Sequence, residues 1–298
     1  MKNMTKARSL MIGHLFTFVT IVIWSVAFVS NKALLAYISP IDNMILRFTL
    51  AYLLLLLIYP QWRLPHNLKD ELFFMLLGFL GIFIYFLLEN FALKYTQASN
   101  VGLYMGAIPI FTALFAHFLT HDEELSPNLI FGFVIALSGM GIILLEGSKF
   151  ELRLHGDLLA LAAAITFALY SVLLKLTPSN YHYVVVTRKS FFYGLVLMVI
   201  YRISQGKNID WTVLQVPTVW ANILFLGLLS SGLAFLLWNQ GIARIGSIRA
   251  SNYIYLVPLL TAITGIFALD ETLTQKMIVG GVMILTGLYL AQRKNTSN

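Results

Sequence analysis

The chain has 298 residues, 59% hydrophobic and 11% charged, with a mean hydropathy of +0.81 and a formal charge of +7. A soluble domain carries roughly 45–50% apolar and about 25% charged residues, so this composition excludes one; its apolar surface would aggregate in water. The basic residues stand singly between apolar runs, a pattern of topogenic charge and anionic-lipid contact rather than nucleic-acid binding, and the lack of cysteine removes disulfides, thiolate metal sites and a cysteine nucleophile.

What remains is an all-α polytopic membrane protein. About 20 apolar residues cross a hydrocarbon layer roughly 30 Å thick, so ten helices would use about 200 residues and leave only two ends and nine short connections. Lys2, Lys6 and Arg8 precede an apolar stretch, the layout of a signal peptide. However, Met11 to Ser30 is longer than a typical signal core and no small-x-small cleavage site follows, so it reads as the first transmembrane helix. The apolar runs fall at 11–31, 43–59, 72–93, 98–119, 128–146, 157–175, 184–201, 218–240, 248–269 and 276–292. Ser39-Pro40, Pro60 to Pro65, Ser126-Pro127, Pro178-Ser179-Asn180 and Gly206 to Asp210 punctuate the connections. Ser126 before Pro127 is an N-cap with a first-turn proline.

Counting Lys and Arg orients the chain. An inside N-terminus places Lys2, Lys6, Arg8, Arg63, Lys69, Lys175, Arg244, Arg249, Arg293 and Lys294 in the cytoplasm. The other side then receives Lys32, Lys94, Lys149, Arg153, Arg202, Lys207 and Lys276. The bias is modest, but both termini are basic, as an even number of spans with both ends cytoplasmic requires; the expected location is the cytoplasmic membrane. Arg47, Arg188 and Lys189 sit at helix starts and are left out of the count.

The chain also repeats itself. Pro109-Ile110-Phe111-Thr112-Ala113 answers to Pro258-Leu259-Leu260-Thr261-Ala262. Asp122-Glu123, Leu125, Gly132 and Gly139 answer to Asp270-Glu271, Leu273, Gly280 and Gly287. Gly13, Lys32 and Arg47 match Gly156, Lys175 and Arg188 more weakly. Ala98-Ser99-Asn100 recurs as Ala250-Ser251-Asn252, but three residues out of register with the prolines, so that match is false. Residues 11–147 and 156–292 are therefore expected to be two five-helix repeats. Five is odd, so the second must enter the membrane upside-down, giving two inverted repeats about an axis in the membrane plane, an architecture widespread among secondary transporters.

Several residues at these positions together resemble the EamA branch of the drug/metabolite transporter superfamily. They are Trp24-Ser25 to Lys32 with Arg47-Phe48, Ala92 to Asn100 leading to Pro109 and Thr112, and Glu123 before the glycine-punctuated fifth helix. The second copy supplies Gly241 to Arg244, Gly246, Arg249-Ala250-Ser251, Pro258, Thr261 and Glu271. The resemblance covers nearly the whole chain and implies ten helices and export or exchange of small metabolites such as amino acids, with no bound cofactor. Glu89-Asn90 departs from the family, whose members often carry apolar or aromatic residues there.

Candidate site residues follow from the same alignment. Pro109 and Pro258 lie mid-helix, where proline frees the carbonyl four residues earlier (Met105, Ile254) and kinks the chain, exposing acceptors to a cavity or simply bending a packed helix. Glu89 is ionisable within a span and lies one turn after Tyr85; it could bind a substrate amine or a coupling proton, or pair near the surface with Lys94. Its repeat counterpart is Trp238, and Asn90 answers to Asn239, so these positions could form gates at opposite ends of a path. Thr17, Thr20, Trp24 and Asn31 share one face of the first helix, either as cavity lining or as back-bonded packing. Tyr104, Tyr170, Tyr253 and Tyr255 are mid-helix phenols that suit packing singly and an aromatic pocket together. Gly102 and Gly106 suit close helix packing. His14, His117 and His121 have no metal-ligand spacing.

The expected function is a secondary transporter exporting an amino acid or related metabolite by alternating access. No H-E-x-x-H or Walker A motif is present, so intramembrane proteolysis and ATP hydrolysis have no support. A receptor or structural membrane protein stays open, and a channel lacks any filter-like pattern. The expected partners are a small-molecule substrate, the lipid bilayer, and a coupling proton or counter-solute, with a homodimer left open and neither nucleic acid, metal nor cofactor expected.

Overall fold

The computed structural model describes residues 2–61, 67–120, 123, 126–145, 152–178, 180–206, 215–269 and 274–292. Arg63, Pro65, His121, Asp122, Leu125, Lys149, Ser179, Lys207, Asp210, Asp270, Glu271, Leu273, Arg293 and Lys294 lie outside the described residues, as do the side chains of Lys2, Lys32 and Ser99. The described chain is helical along its apolar runs, as α1 (Lys2–Leu34), α2 (Pro40–Ile58), α3 (Leu68–Tyr95), α4 (98–119) and α5 (Pro127–Leu144). Then follow α6 (Leu154–Lys175), α7 (Tyr183–Ser204), α8 (Pro217–Ile245), α9 (247–269) and α10 (Gln275–Gln292). Among the described residues eight stretches, in α1 to α8, are long and apolar enough to cross a membrane. Leu57, Phe118, Phe131 and Ile203 face outward while Asn43, Arg47 and Thr187 are buried, the inverse of a soluble protein.

Local chemistry sets the helix starts. Ser39 accepts the Asp42 N–H at 3.2 Å ahead of Pro40, and Asn67 accepts the Asp70 N–H at 2.8 Å. Ser126 accepts the Leu129 N–H at 3.2 Å ahead of Pro127, as the sequence suggested.

Two irregularities recur at one spacing. α3 widens to π-helical geometry over Gly78–Ile84 and α8 over Phe225–Leu233. In α3 the Tyr85 N–H reaches Leu80 O, and in α8 the Ala234 N–H reaches Leu229 O; each pair is 149 residues apart, as Pro109 and Pro258 are. α4 breaks at Gly106-Ala107, where the Ala107 N–H turns to Tyr104 O at 2.9 Å. α9 passes through a 3₁₀ turn over Tyr253–Tyr255. The prolines therefore do not kink continuous helices: Pro109 lies in the first turn of Ile108–Leu119 and Pro258 in that of Leu256–Leu269, where a missing N–H costs little. The caps before α4 and α9, Gln97 and Gly246, share the same offset, which fits rejection of the Ala98/Ala250 match.

Packing crosses between the halves. α5 and α10 run antiparallel with backbones in contact: a Cβ at Gly132 would lie 2.6 Å from Gly287 O, and one at Gly139 would lie 2.6 Å from Gly280 O. α1 lies along α8 through Gly13 against Ile245 and the Thr20 hydroxyl donating to Ala234 O at 3.2 Å. α6 lies along α3 in the same way, Gly156 against Thr96 and Tyr170 against Gly81. The one-face stripe of α1 is largely interhelical packing, since Thr17 and Thr20 are buried and back-bonded to Gly13 O and Phe16 O.

Because two backbones meet at Gly287, a side chain there has no flexible neighbour to displace. Gly287→Val is expected to destabilise the protein by about 2 kcal/mol, in the range for overpacking, read as a lowered thermal midpoint in detergent. Gly141→Val should leave the midpoint unchanged, since a Cβ there meets only Leu103 Cδ1 at 3.8 Å.

Candidate functional site

The site is organised by a charge that the sequence reading set aside. Arg47 lies within α2 rather than at its mouth and is 4% exposed. Its Nε donates to Ser231 Oγ at 2.8 Å and its Nη2 to Ser230 Oγ at 3.3 Å, both in the π-helical stretch of α8. The guanidinium sits 4.8 Å from the Phe86 ring centroid and 5.3 Å from that of Phe48, within cation–π range. The widened turn explains a further bond: it diverts the Ala234 N–H to Leu229 O, so Ser230 O can accept the Trp24 indole N–H at 3.1 Å.

Among the described residues no carboxylate lies within 4.0 Å of Arg47. Glu89 is the acidic group within electrostatic reach of it, and the Tyr85 hydroxyl donates to Glu89 Oε1 at 3.2 Å. Trp24, Tyr85 and Glu89 are only half-buried, whereas Arg47 beside them is almost fully enclosed.

Aromatic rings surround these groups. Trp24 stands 5.1 Å from Trp238, 5.5 Å from Phe235 and 5.8 Å from Phe167 by ring centroids. Tyr85 stands 4.8 Å from Phe167, which continues to Tyr170 at 5.8 Å. Trp238 is fully buried and, among the described residues, its indole N–H has no partner, while the Tyr170 hydroxyl faces Asn239. An unpaired buried donor of this kind is what a polar ligand would satisfy.

Polar ties close the bundle at both ends. At one, Asn43 Nδ2 donates to Asn31 Oδ1 at 2.6 Å and Asn31 Nδ2 to Asn90 Oδ1 at 3.4 Å. Arg202 Nε meets Asp42 Oδ1 at 2.6 Å beside them, and Ser30 donates to Asn222 Oδ1 at 2.5 Å. At the other end Lys189 Nζ binds Glu71 at 2.6 Å, the Tyr193 hydroxyl binds the same carboxylate, and Tyr181 donates to Asp70 Oδ2 at 2.7 Å. There too Glu123 accepts from the Ser247 hydroxyl and lies 3.6 Å from Lys175 Nζ. Gly246, at φ +87°, makes the tight approach to that carboxylate that a Cβ would block.

Of the residues singled out in the sequence, Tyr85 and Glu89 lie within electrostatic reach of Arg47, Trp24 and Trp238 pack on one another beside Ser230, Asn239 faces Tyr170, and Asn90 joins the asparagine chain. Asn239 donates to Thr187 Oγ1 at 2.6 Å, tying α8 to α7. Glu89 is not paired with Lys94, whose ammonium lies over Tyr95. Tyr104 stands apart, near Asp157; Tyr255 is buried with its nearest ring Phe133 on α5, at 6.3 Å. Pro109 and Pro258 mark the helix breaks. Sequence reasoning missed Arg47, Ser230, Ser231 and the Asn31–Asn43 link. The available signal was an arginine inside the 43–59 run.

Fold and site together define a multi-pass helical membrane protein with an enclosed polar and aromatic centre. A family model described as the EamA-like transporter family matches residues 11–145 and 154–292, and the chain belongs to that family of membrane transporters. It is 28% identical over 267 residues to "Uncharacterized transporter YyaM" of Bacillus subtilis, covering 87% of each chain. It is 26% identical over 286 residues to an uncharacterized transporter of Archaeoglobus fulgidus, covering 94% of this chain and 97% of that one. A protein of known crystal structure shares the fold with a TM-score of 0.78 at 22% identity, covering 94% of this chain and 96% of that one.

The Asp42–Arg202 pair is buried, so removing one partner leaves an uncompensated charge. Arg202→Met is expected to cost about 3 kcal/mol and to lower the thermal midpoint clearly, while Asp42→Asn/Arg202→Met recovers most of the loss. Equal midpoints for the single and double variants would show that no uncompensated charge is left at Asp42.

Proposed function

We propose that this protein is a secondary transporter that exports a small metabolite, an amino acid or a related compound, across the cytoplasmic membrane by alternating access. Ten spans form two inverted five-helix repeats, with both termini in the cytoplasm. The observation that carries this reading is the reciprocity of the α5–α10 contact. Gly132 and Gly139 are the repeat counterparts of Gly280 and Gly287, so a two-fold operation exchanges the Gly132–Gly287 contact with the Gly280–Gly139 contact. The π-helical turns at one offset and the matched α1–α8 and α6–α3 packing support the same operation. Two similar halves facing opposite sides supply two interchangeable states, one open to each side.

In this reading Trp24, Tyr85, Glu89, Trp238 and Asn239 line the substrate path, and Asn90 and its asparagine partners close one end of it. Tyr104, Tyr255 and the breaks before Pro109 and Pro258 belong to segments that shift when the cavity changes face. Glu89 is the candidate for a coupling proton, the alternative driving force being a counter-solute. Substrate-dependent counterflow in proteoliposomes tests the carrier directly: labelled solute should accumulate against an unlabelled internal pool.

Trp24→Ala and Trp238→Ala should each lower counterflow by roughly tenfold or more, the usual consequence of losing a buried aromatic contact, while the protein stays monodisperse. Unimpaired exchange in both would remove the aromatic lining from the path. Glu89→Gln should flatten the pH dependence of net transport. If rate and pH profile both survive that change, Glu89 has no coupling role.

A further inference from the structure

The internal charges are unequally divided between the halves. Arg47 and Glu89 come from the first half, while their repeat counterparts are Arg188 and Trp238. Arg188 is spent on the backbone, donating to Tyr59 O and Gln61 O at 2.6 Å each. Ser230 and Ser231, the hydroxyls that hold Arg47, correspond to Gly81 and Ile82, which can hold nothing. Among the described residues the centre therefore holds one guanidinium and one carboxyl, not two symmetric sites.

The arginine's position is costly and incompletely used. A buried cation normally takes a carboxylate partner, yet Arg47 is held by two neutral hydroxyls and two aromatic faces. Glu89 stays within electrostatic reach without closing an ion pair and takes a hydroxyl donor instead. Fully buried Trp238, packed on Trp24 in the same cage, keeps an unpartnered N–H.

Resting on the carrier reading above, we propose that Arg47 and Glu89 are the two poles of a zwitterion site. Arg47 takes the substrate carboxylate, Glu89 takes its ammonium, and the Trp24–Trp238 cage holds the apolar remainder. One ligand carrying both charges satisfies both groups, whereas a solute with only one charge leaves the other buried and unmatched. Arg47 is then the residue that selects for a free carboxylate.

The test is counterflow in proteoliposomes with matched solutes: α-amino acids, the primary amines left by their decarboxylation, and the 2-hydroxy acids that replace their amine. Wild-type protein should exchange the amino acids and discriminate against both single-charge series by about tenfold to a hundredfold, the span of one charged hydrogen bond. Arg47→Gln should lose amino-acid exchange by a similar factor and cease to discriminate against the amines. Glu89→Gln should cease to discriminate against the 2-hydroxy acids. If the charges only compensate one another, Arg47→Gln/Glu89→Gln would recover wild-type selectivity, and the proposal falls.

Should the Arg47 variant fail to fold, the wild-type series still decides: amines or hydroxy acids exchanged within about twofold of the amino acids overturn the assignment. Exchange of single-charge solutes leaves the carrier reading standing. Absence of exchange for all three series counts against the carrier and takes the zwitterion site with it.

Discussion

A guanidinium enclosed by helices with no carboxylate in contact among the described residues, Arg47, sets the main constraint on the surrounding architecture. In a membrane the cost of an unsatisfied charge cannot be relieved by water, so partners must come from the protein or its ligand. Arg47 is met by Ser230 and Ser231, which an i→i+5 turn in α8 places across from α2, and by the faces of Phe48 and Phe86. The turn also supplies the carbonyl that fixes the Trp24 indole. One backbone irregularity thus positions the cation's hydroxyl partners and one wall of the aromatic cage.

The same irregularity occurs in α3 with other side chains: its counterparts to the serines are Gly81 and Ile82, and Gly81 admits the Tyr170 ring. A shared backbone plan with divergent side chains is what a duplicated chain would retain, since backbone geometry serves packing in both copies while chemistry needs only one. The glycines of α5 and α10 serve that packing. Gly132, Gly139, Gly280 and Gly287 are each placed where a facing backbone leaves no room for a side chain, and helices held by such contacts gain van der Waals energy that lipid cannot supply.

Most of the helical layout was legible in the sequence, because a span is specified by length and hydropathy alone and caps such as Ser126-Pro127 are local. The aromatic centre was partly legible: Trp24, Tyr85, Glu89, Trp238 and Asn239 were singled out from residue type and repeat register. Arg47 was visible but misread, since a charge at the edge of an apolar run resembles an interfacial anchor until its depth is known. The role given to the prolines also changed. Local rules place a proline against the carbonyl four residues back, but Gly106 and the Tyr253–Tyr255 turn break the helix first and leave each proline in a fresh first turn.

Sequence by itself determined that this chain lives in a membrane, where its helices run, and that its halves are copies, because hydropathy and register are properties of order along one dimension. Tertiary structure alone decided which polar groups meet. Arg47 and Ser231 are 184 residues apart in the chain, and Asn31 and Asn90 are 59 apart. Nothing local distinguishes a buried arginine facing two serines from one reaching for the surface. That distinction arises from the crossing of α2 against the widened turn of α8.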